Sequence, residues 1–258
     1  MFHFGNITVV LVVSVVVFGS TLAGIAVGRR VGDRPGLRDS TAAAQTALLG
    51  FIALLLTFGL TMAVGRYENR RAVVAQEANA IGTTYLRAQT LAEPTRTDSV
   101  ALLERYADLR LALSRAVPDS PAFERARTES GVVQRDLWRL ADEALDAAPT
   151  DSAPRLYVES LNEMIDMHTT RLAALRDVIP SPVVYVQLVG SAAALGVLAL
   201  YLGLVGRSAA TAVLAATLVS VILLVVIDLD RPVRGFITVP ATALEDLRSS
   251  MDEGPAAS

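Results

Sequence analysis

Two clusters of charged residues lie at the ends of long apolar runs, and these residues are the best placed for chemistry. One cluster follows the run that ends at Val64, and the other follows the run that ends at Ile227. Arginines at a pore mouth attract anions, whereas arginines and carboxylates at one membrane face also form ion pairs that hold helices together. Both interpretations are open for Arg66, Glu68, Arg70, Arg71, Glu77, Asp228, Asp230, Arg231 and Arg234.

Enzyme chemistry finds no support in the sequence. It contains no phosphate loop, dinucleotide fingerprint, nucleophile elbow or zinc motif. The absence of Cys excludes disulfides and thiolate metal sites, and the net charge of −3 gives no reason to expect nucleic acid. His168 lies on an apolar helical face without a second ligand at metal spacing, which predicts a core histidine. We therefore expect no catalytic residue, metal or cofactor.

The apolar residues are gathered in four runs. The charged clusters follow the second and the fourth run, so these runs determine where the charges lie. Each run is about 20 residues long, which matches the hydrocarbon thickness of a bilayer. None contains a charged residue, and one such charge at mid-membrane costs about 2.5–3.5 kcal/mol. Gly24 and Gly28 form a small-xxx-small pattern that predicts close helix packing at the end of the first run. The sequence thus predicts spans at about 6–27, 42–64, 183–205 and 209–227.

The order of these runs predicts an all-α membrane protein with four transmembrane helices in two hairpins and a helical bundle between spans 2 and 3. Gly65 is the only weak point after span 2, so one helix should continue to about Ala92 and enter the bundle. Ser120 is predicted to cap a bundle helix, Ser181 to cap span 3, and Trp138 to lie in the core. The expected domains are hairpin 1 at 1–65, the soluble helical domain at 66–182, hairpin 2 at 183–229, and a C-terminal segment and tail at 230–258.

Two stretches of the sequence resemble a known family. Residues 66–71 read Arg-Tyr-Glu-Asn-Arg-Arg and precede Glu-Ala-Asn-Ala-Ile-Gly-Thr-Thr-Tyr-Leu-Arg at 77–87. Residues 228–232 read Asp-Leu-Asp-Arg-Pro, with Gly235-Phe236 following. Together they resemble the bestrophin-like family of bacterial integral membrane proteins, which is distantly similar to the bestrophin anion channels. That resemblance implies a four-span subunit of a pentamer with a cytosolic helical domain and a pore lined by span 2.

Calcium gating is not expected from the resemblance. Bestrophins carry an acidic calcium clasp after the last span. Here Asp228 and Asp230 are too few for a clasp, and they lie beside Arg231.

Span 2 offers two faces that could line such a pore. Phe51, Leu55, Phe58 and Met62 form an apolar stripe that could gate by wetting and drying, or could pack against neighbouring spans or lipid. Thr57 and Thr61 form a separate ridge, whose hydroxyls could meet an ion or could bond to their own helix. The sequence does not decide which face points at a pore axis.

The function expected from these features is an oligomeric bestrophin-like channel for small inorganic anions, a homo-oligomer that is a pentamer by analogy. The alternative is a non-conducting membrane-anchored helical sensor or scaffold protein. More arginines flank the spans on the side of the polar region than on the other side. The positive-inside rule then predicts a multi-pass protein of the cell inner membrane, with the soluble domain and both termini in the cytoplasm.

Overall fold

The computed structural model describes residues 6–32, 34–231 and 235–253, and this part of the chain is helical without strands. Four of its helices are long and apolar enough to cross a membrane, which confirms the predicted class. The helices are α1 (Asn6–Val31), α2 (Pro35–Ala88), α3 (Thr95–Arg115), α4 (Pro121–Ala147), α5 (Ser152–Arg176), α6 (Ser181–Leu204), α7 (Ala209–Leu229) and α8 (Thr242–Glu253).

Helix α2 joins the second apolar run to the charged segment without a break, as predicted. It contains 54 residues, so it is about 80 Å long at 1.5 Å per residue. It ends at Ala88, earlier than the expected Ala92. The N–H groups of Thr90 and Leu91 bond the carbonyls of Arg87 and Ala88, and these three-residue bonds tighten the last turn and end the helix.

The connection between α1 and α2 is short, because both helices extend beyond the predicted apolar runs. Helix α1 continues to Val31, and Gly32 follows it at a φ of 71°, a conformation that glycine adopts without strain. Pro35 is the first residue of α2, where its missing N–H is not needed. Arg29, Arg30 and Arg38 therefore lie within the ends of these two helices, and Arg34 precedes α2.

The chain forms two compact units, which we call the apolar unit and the polar unit. The apolar unit contains residues 1–66 and 178–237, and the polar unit contains residues 67–177 and 238–258. Helix α2 contributes its first part to the apolar unit and its last part to the polar unit.

Within the apolar unit, α1 packs on α6 with the two backbones in contact. A Cβ atom at Gly24 would lie 2.3 Å from the carbonyl oxygen of Gly196, and one at Gly28 would lie 2.4 Å from that of Leu200. Only glycine fits at either position. The close packing predicted from the Gly24–Gly28 spacing is therefore confirmed. Helix α6 begins at Ser181 without a side-chain cap, so the predicted cap by Ser181 is wrong.

The polar unit is built from α3, α4, α5, α8 and the end of α2. The Ser120 hydroxyl accepts the N–H of Phe123 at 3.2 Å, which confirms the predicted cap of α4. The buried face of α4 includes Leu137, and the next residue, Trp138, points away from that face. Trp138 is 44% exposed, so the prediction of a core Trp138 is wrong. The core contains Ile81, Leu103, Tyr106, Leu137, Leu161, Met164 and Leu244.

Candidate functional site

Helix α2 packs against the rest of the apolar unit along one side only. Ile52, Leu56, Gly59 and Ala63 are buried, and they recur at the spacing of one helical face. No residue between 42 and 64 carries a charge. This packed side fixes which residues of α2 are left uncovered in the single chain.

The packed side is held by a polar contact from α6. The Nε2 atom of Gln187 donates a hydrogen bond to the carbonyl of Leu55 at 2.8 Å. A Cβ atom at Gly59 would lie 1.9 Å from that Nε2 atom, so the glycine leaves room for the amide. A Cβ at Gly190 would lie 2.8 Å from Ile52 Cδ1. Sequence reasoning missed Gln187, although a lone amide inside a charge-free span is itself a signal.

The Thr57 and Thr61 ridge lies on the uncovered side of α2. On ideal helix geometry these residues are roughly 130–170° around the axis from the centre of the packed side. Both are exposed. The Thr57 hydroxyl donates to Ala53 O at 2.9 Å and the Thr61 hydroxyl to Thr57 O at 3.0 Å. As bonded, each presents a methyl group and an oxygen lone pair outward, and no donor for an anion.

On the same helix geometry, the apolar stripe of α2 lies roughly 70–130° from the centre of the packed side, on the flank away from Thr57. Phe51 and Phe58 are each 58% exposed, and Leu55 is partly buried. Leu55, Phe58 and Met62 line a groove whose opposite wall is the start of α6. The stripe therefore faces a cleft within the apolar unit along part of its length. The groove wall on α6 is formed by Pro182, Val183, Val186 and Gln187.

Arg70 is a structural residue of the polar unit. Its side chain is buried, with Nε 3.2 Å from Ala174 O and Nη2 2.6 Å from Asp177 O, so it donates to carbonyls at the C-terminal end of α5. A cation at this end of a helix is favoured by the helix dipole. Glu68 and Arg71 are exposed, and Arg66 is half-buried.

The two carboxylates at the end of α7 hold the backbone of the apolar unit. Asp228 accepts the N–H groups of Phe236 and Ile237, both at 2.8 Å, and Asp230 accepts the N–H of Ile179 at 2.8 Å. Arg231 is buried, and Arg234 lies outside the described residues. Asp228 and Asp230 therefore have structural roles.

Glu77, which the sequence groups with the charges beside the spans, is buried inside the polar unit. Its Oε1 atom accepts the Arg110 Nε–H at 2.7 Å, and its Oε2 atom accepts from Arg171 Nη1. The Glu77 and Arg110 side chains are fully buried, and that of Arg171 is 4% exposed. Arg110 and Arg171 were missed by sequence reasoning, although each occupies a position within the apolar face of its helix.

The polar groups beside this cluster are uncharged. The Tyr106 hydroxyl lies 3.4 Å from His168 Nδ1 and accepts from Gln134 Nε2 at 3.0 Å. Burial, helped by the positive charges of Arg110 and Arg171, lowers the pKa of His168 to about 3. Burial raises the pKa of Tyr106 to about 12. The predicted core His168 is confirmed, and two guanidinium groups face one carboxylate here.

Comparison with known proteins adds to these observations. No curated protein matches the sequence. The fold is similar to a crystal structure of a bacterial bestrophin homologue from Klebsiella pneumoniae that carries a point mutation. The TM-score is 0.72 over 93% of this chain and 98% of that chain, at 12% sequence identity. At that identity, the likeness establishes a shared fold. The Bestrophin-like domain matches residues 9–244, and this chain belongs to the bestrophin-like family.

Proposed function

We propose that this protein is one subunit of a homo-oligomeric ion channel whose pore is lined by the membrane part of α2. Family membership and the shared fold support the proposal, and the pentameric ring comes by analogy with bestrophins. A closed ring brings one copy of the same helix face from every subunit to a common axis.

The one-sided packing of α2 carries this proposal. A helix on a ring axis must pack on its own subunit with one side and leave the opposite side for the pore. The side opposite Ile52, Leu56, Gly59 and Ala63 carries the exposed Leu54 together with four exposed small residues: Gly50, Thr57, Thr61 and Gly65. Small residues leave room for an ion beside α2, and they equally permit a neighbouring helix to approach closely. We therefore assign the pore to the Thr57 and Thr61 face.

The apolar stripe takes a different role in this arrangement. Phe51, Leu55, Phe58 and Met62 lie beside the pore face, where they contact the neighbouring subunit or close the cleft toward α6. The alternative of a phenylalanine constriction requires the stripe itself to face the axis. Cysteine accessibility distinguishes the two faces, because the chain has no native Cys.

The sign of the permeating ion depends on charges near the end of this face. The resemblance to bestrophin anion channels favours small anions, and the exposed Arg71 is a candidate to attract them. A specific observation favours cations. Glu68 is exposed on α2, four residues after the apolar run that ends at Val64. A ring of Glu68 carboxylates would attract cations, and Arg70 donates its hydrogen bonds to carbonyls at the end of α5 rather than to an ion.

Ion flux through the reconstituted protein tests the proposal. Purified full-length protein should carry current across a bilayer in a KCl gradient, and the sign of the reversal potential identifies K⁺ or Cl⁻ as the permeating species. If Glu68 selects cations, Glu68→Gln shifts the reversal potential toward anions, and the matched Arg71→Gln shifts it in the opposite direction. Absence of flux for both signs of ion contradicts the channel and leaves the sensor or scaffold alternative.

We also propose the orientation that the arginine distribution favours. The protein is then a multi-pass protein of the inner membrane with the polar unit in the cytoplasm. A reporter enzyme that works only in the cytoplasm should be active when it is inserted at Ser120. A reporter enzyme that works only outside the cytoplasm should be active when it is inserted at Pro35. The reverse pattern contradicts both the orientation and the analogy with bestrophin architecture.

A further inference from the structure

The buried cluster of Glu77, Arg110 and Arg171 has more N–H donors than acceptors. Arg110 Nη1, Arg110 Nη2 and Arg171 Nε are buried, and none has a hydrogen-bond partner among the described residues. These atoms carry five N–H hydrogens between them. Each buried donor without an acceptor is costly, because its hydration is lost and nothing replaces it.

The charge of the cluster is unbalanced as well. Two guanidinium groups share the single carboxylate of Glu77. His168 and Tyr106 are both neutral near pH 7 and add no negative charge. The next arginine, Arg127, contributes positive potential at His168 and is itself paired with Glu124 at 2.7 Å. The interior of the polar unit therefore holds one net positive charge at this place.

Neighbouring side chains compensate this charge only in part. The Tyr106 ring centroid lies 5.9 Å from Arg110 Cζ, a distance at which the ring face attracts a cation. A ring face is a weak acceptor and carries no net charge. Arg171 Nη2 donates to the Ser114 hydroxyl, which satisfies one nitrogen and leaves the charge as it is. Water could also accept the unused N–H groups, but water cannot neutralise the cluster.

We propose that this cluster is a binding site for one small monovalent anion, such as chloride, held by the unused N–H donors of Arg110 and Arg171. One negative charge balances the cluster, and the anion accepts several of the five hydrogens at once. The site lies wholly within the polar unit, so the proposal holds whether or not the protein conducts ions. Binding would stabilise the packing of α2, α3 and α5, which supply Glu77, Arg110 and Arg171.

The test is the melting temperature of the full-length protein in detergent as chloride replaces gluconate at constant ionic strength. Chloride should raise the melting temperature saturably, by about 3–6 °C at tenfold excess over its dissociation constant. Bromide and nitrate should act in the same way, and gluconate, a bulky carboxylate, serves as the reference anion. Equal melting temperatures in chloride and gluconate would mean that water satisfies the donors, and would overturn the proposal.

Three variants assign the response to this cluster. Arg110→Met leaves a neutral pair of Glu77 and Arg171 and should abolish the chloride response. Ser114→Asp places a second carboxylate beside Arg171, so it should also abolish the response while keeping the protein folded without chloride. Arg105→Met removes an exposed arginine of the same helix and should keep the response unchanged. A response that persists in Ser114→Asp comes from another site and contradicts the proposal, even if Arg110→Met does not fold.

Discussion

The Nε2 atom of Gln187 on α6 donates a hydrogen bond to the backbone carbonyl of Leu55 on α2 at 2.8 Å. Both residues lie in segments that are otherwise apolar, where an amide needs a protein partner because lipid offers none. Gly59 provides the space for this amide, one turn along α2 from Leu55. The contact fixes the rotation of α2 in the apolar unit, and thereby decides which residues face away from it.

Gly59→Ala should destabilise the protein. The added methyl carbon would lie 1.9 Å from Gln187 Nε2, so the amide must move and lose its bond to Leu55. Loss of this buried hydrogen bond costs about 1–3 kcal/mol, which a thermal unfolding curve in detergent detects. Gly50→Ala is the matched control, because no described atom lies within 4 Å of its added carbon. Equal melting temperatures for the two variants would contradict the Gln187 contact.

Gly28→Ala should loosen the packing of α1 on α6. Its added carbon would lie 2.4 Å from the backbone oxygen of Leu200, which cannot rotate away as a side chain can. We expect a loss of about 1–3 kcal/mol in unfolding free energy. Gly19→Ala on the same helix meets no described atom within 4 Å and should be neutral or stabilising by up to about 1 kcal/mol. A neutral Gly28→Ala would show that the two helices do not touch there.

Glu77→Gln should be among the most destabilising single changes in the polar unit. It removes the carboxylate that faces both Arg110 and Arg171, and leaves two buried cations without a charged partner. Loss of one partner from a buried ion pair costs about 3–5 kcal/mol. The matched change Glu143→Gln breaks an exposed pair with Arg139 and should cost less than about 1 kcal/mol. Similar melting temperatures for the two variants would mean that Glu77 is not buried with the arginines.

The stability of the protein should fall as the pH is lowered from 7.5 to 5, in part because of His168. Its pKa is about 3 in the folded state, below the ordinary 6.5, so the unfolded state binds more protons between these values. The contribution is fully present above pH 6.5, and its loss reaches about 2 kcal/mol at pH 5.

His168→Gln removes this titration and should flatten the dependence of melting temperature on pH between 7.5 and 5. Carboxylates titrate in both proteins, so the difference between the two curves isolates the histidine. If melting temperature depends on pH in the same way in both proteins, His168 contacts water in the folded state, which contradicts its burial.

The spans and the long helix could be predicted from the sequence because their causes are local. Four charge-free runs of bilayer length permit little except membrane helices, and α2 continues past Gly65 because a lone glycine is too weak to stop a helix. The Gly24–Gly28 pattern identified a close contact in the same way. The pattern did not identify α6 as the packing partner, because the sequence of one helix does not indicate which other helix it contacts.

The candidate site was predicted less completely because it is formed by contacts between residues that are far apart in the sequence. Glu77 and Arg110 are 33 residues apart in sequence, and each alone looks like an ordinary surface charge. The two faces of span 2 were equivalent in sequence terms until Gln187 and the packed residues of α2 distinguished them. Trp138 was assigned to the core from its residue type, yet its place on α4 leaves it exposed.

Modification of single cysteines during ion flux tests the central claim most directly, that the Thr57 and Thr61 face of α2 lines a pore. Thr57→Cys and Thr61→Cys are made in the natural cysteine-free chain, reconstituted in liposomes and treated with a charged, membrane-impermeant methanethiosulfonate. Leu218→Cys on α7 is the control, since that residue is 58% exposed on another apolar helix. The account predicts that the reagent blocks flux through both threonine variants and leaves Leu218→Cys unaffected. Block at Phe51→Cys and Phe58→Cys, without block at the threonines, would contradict it.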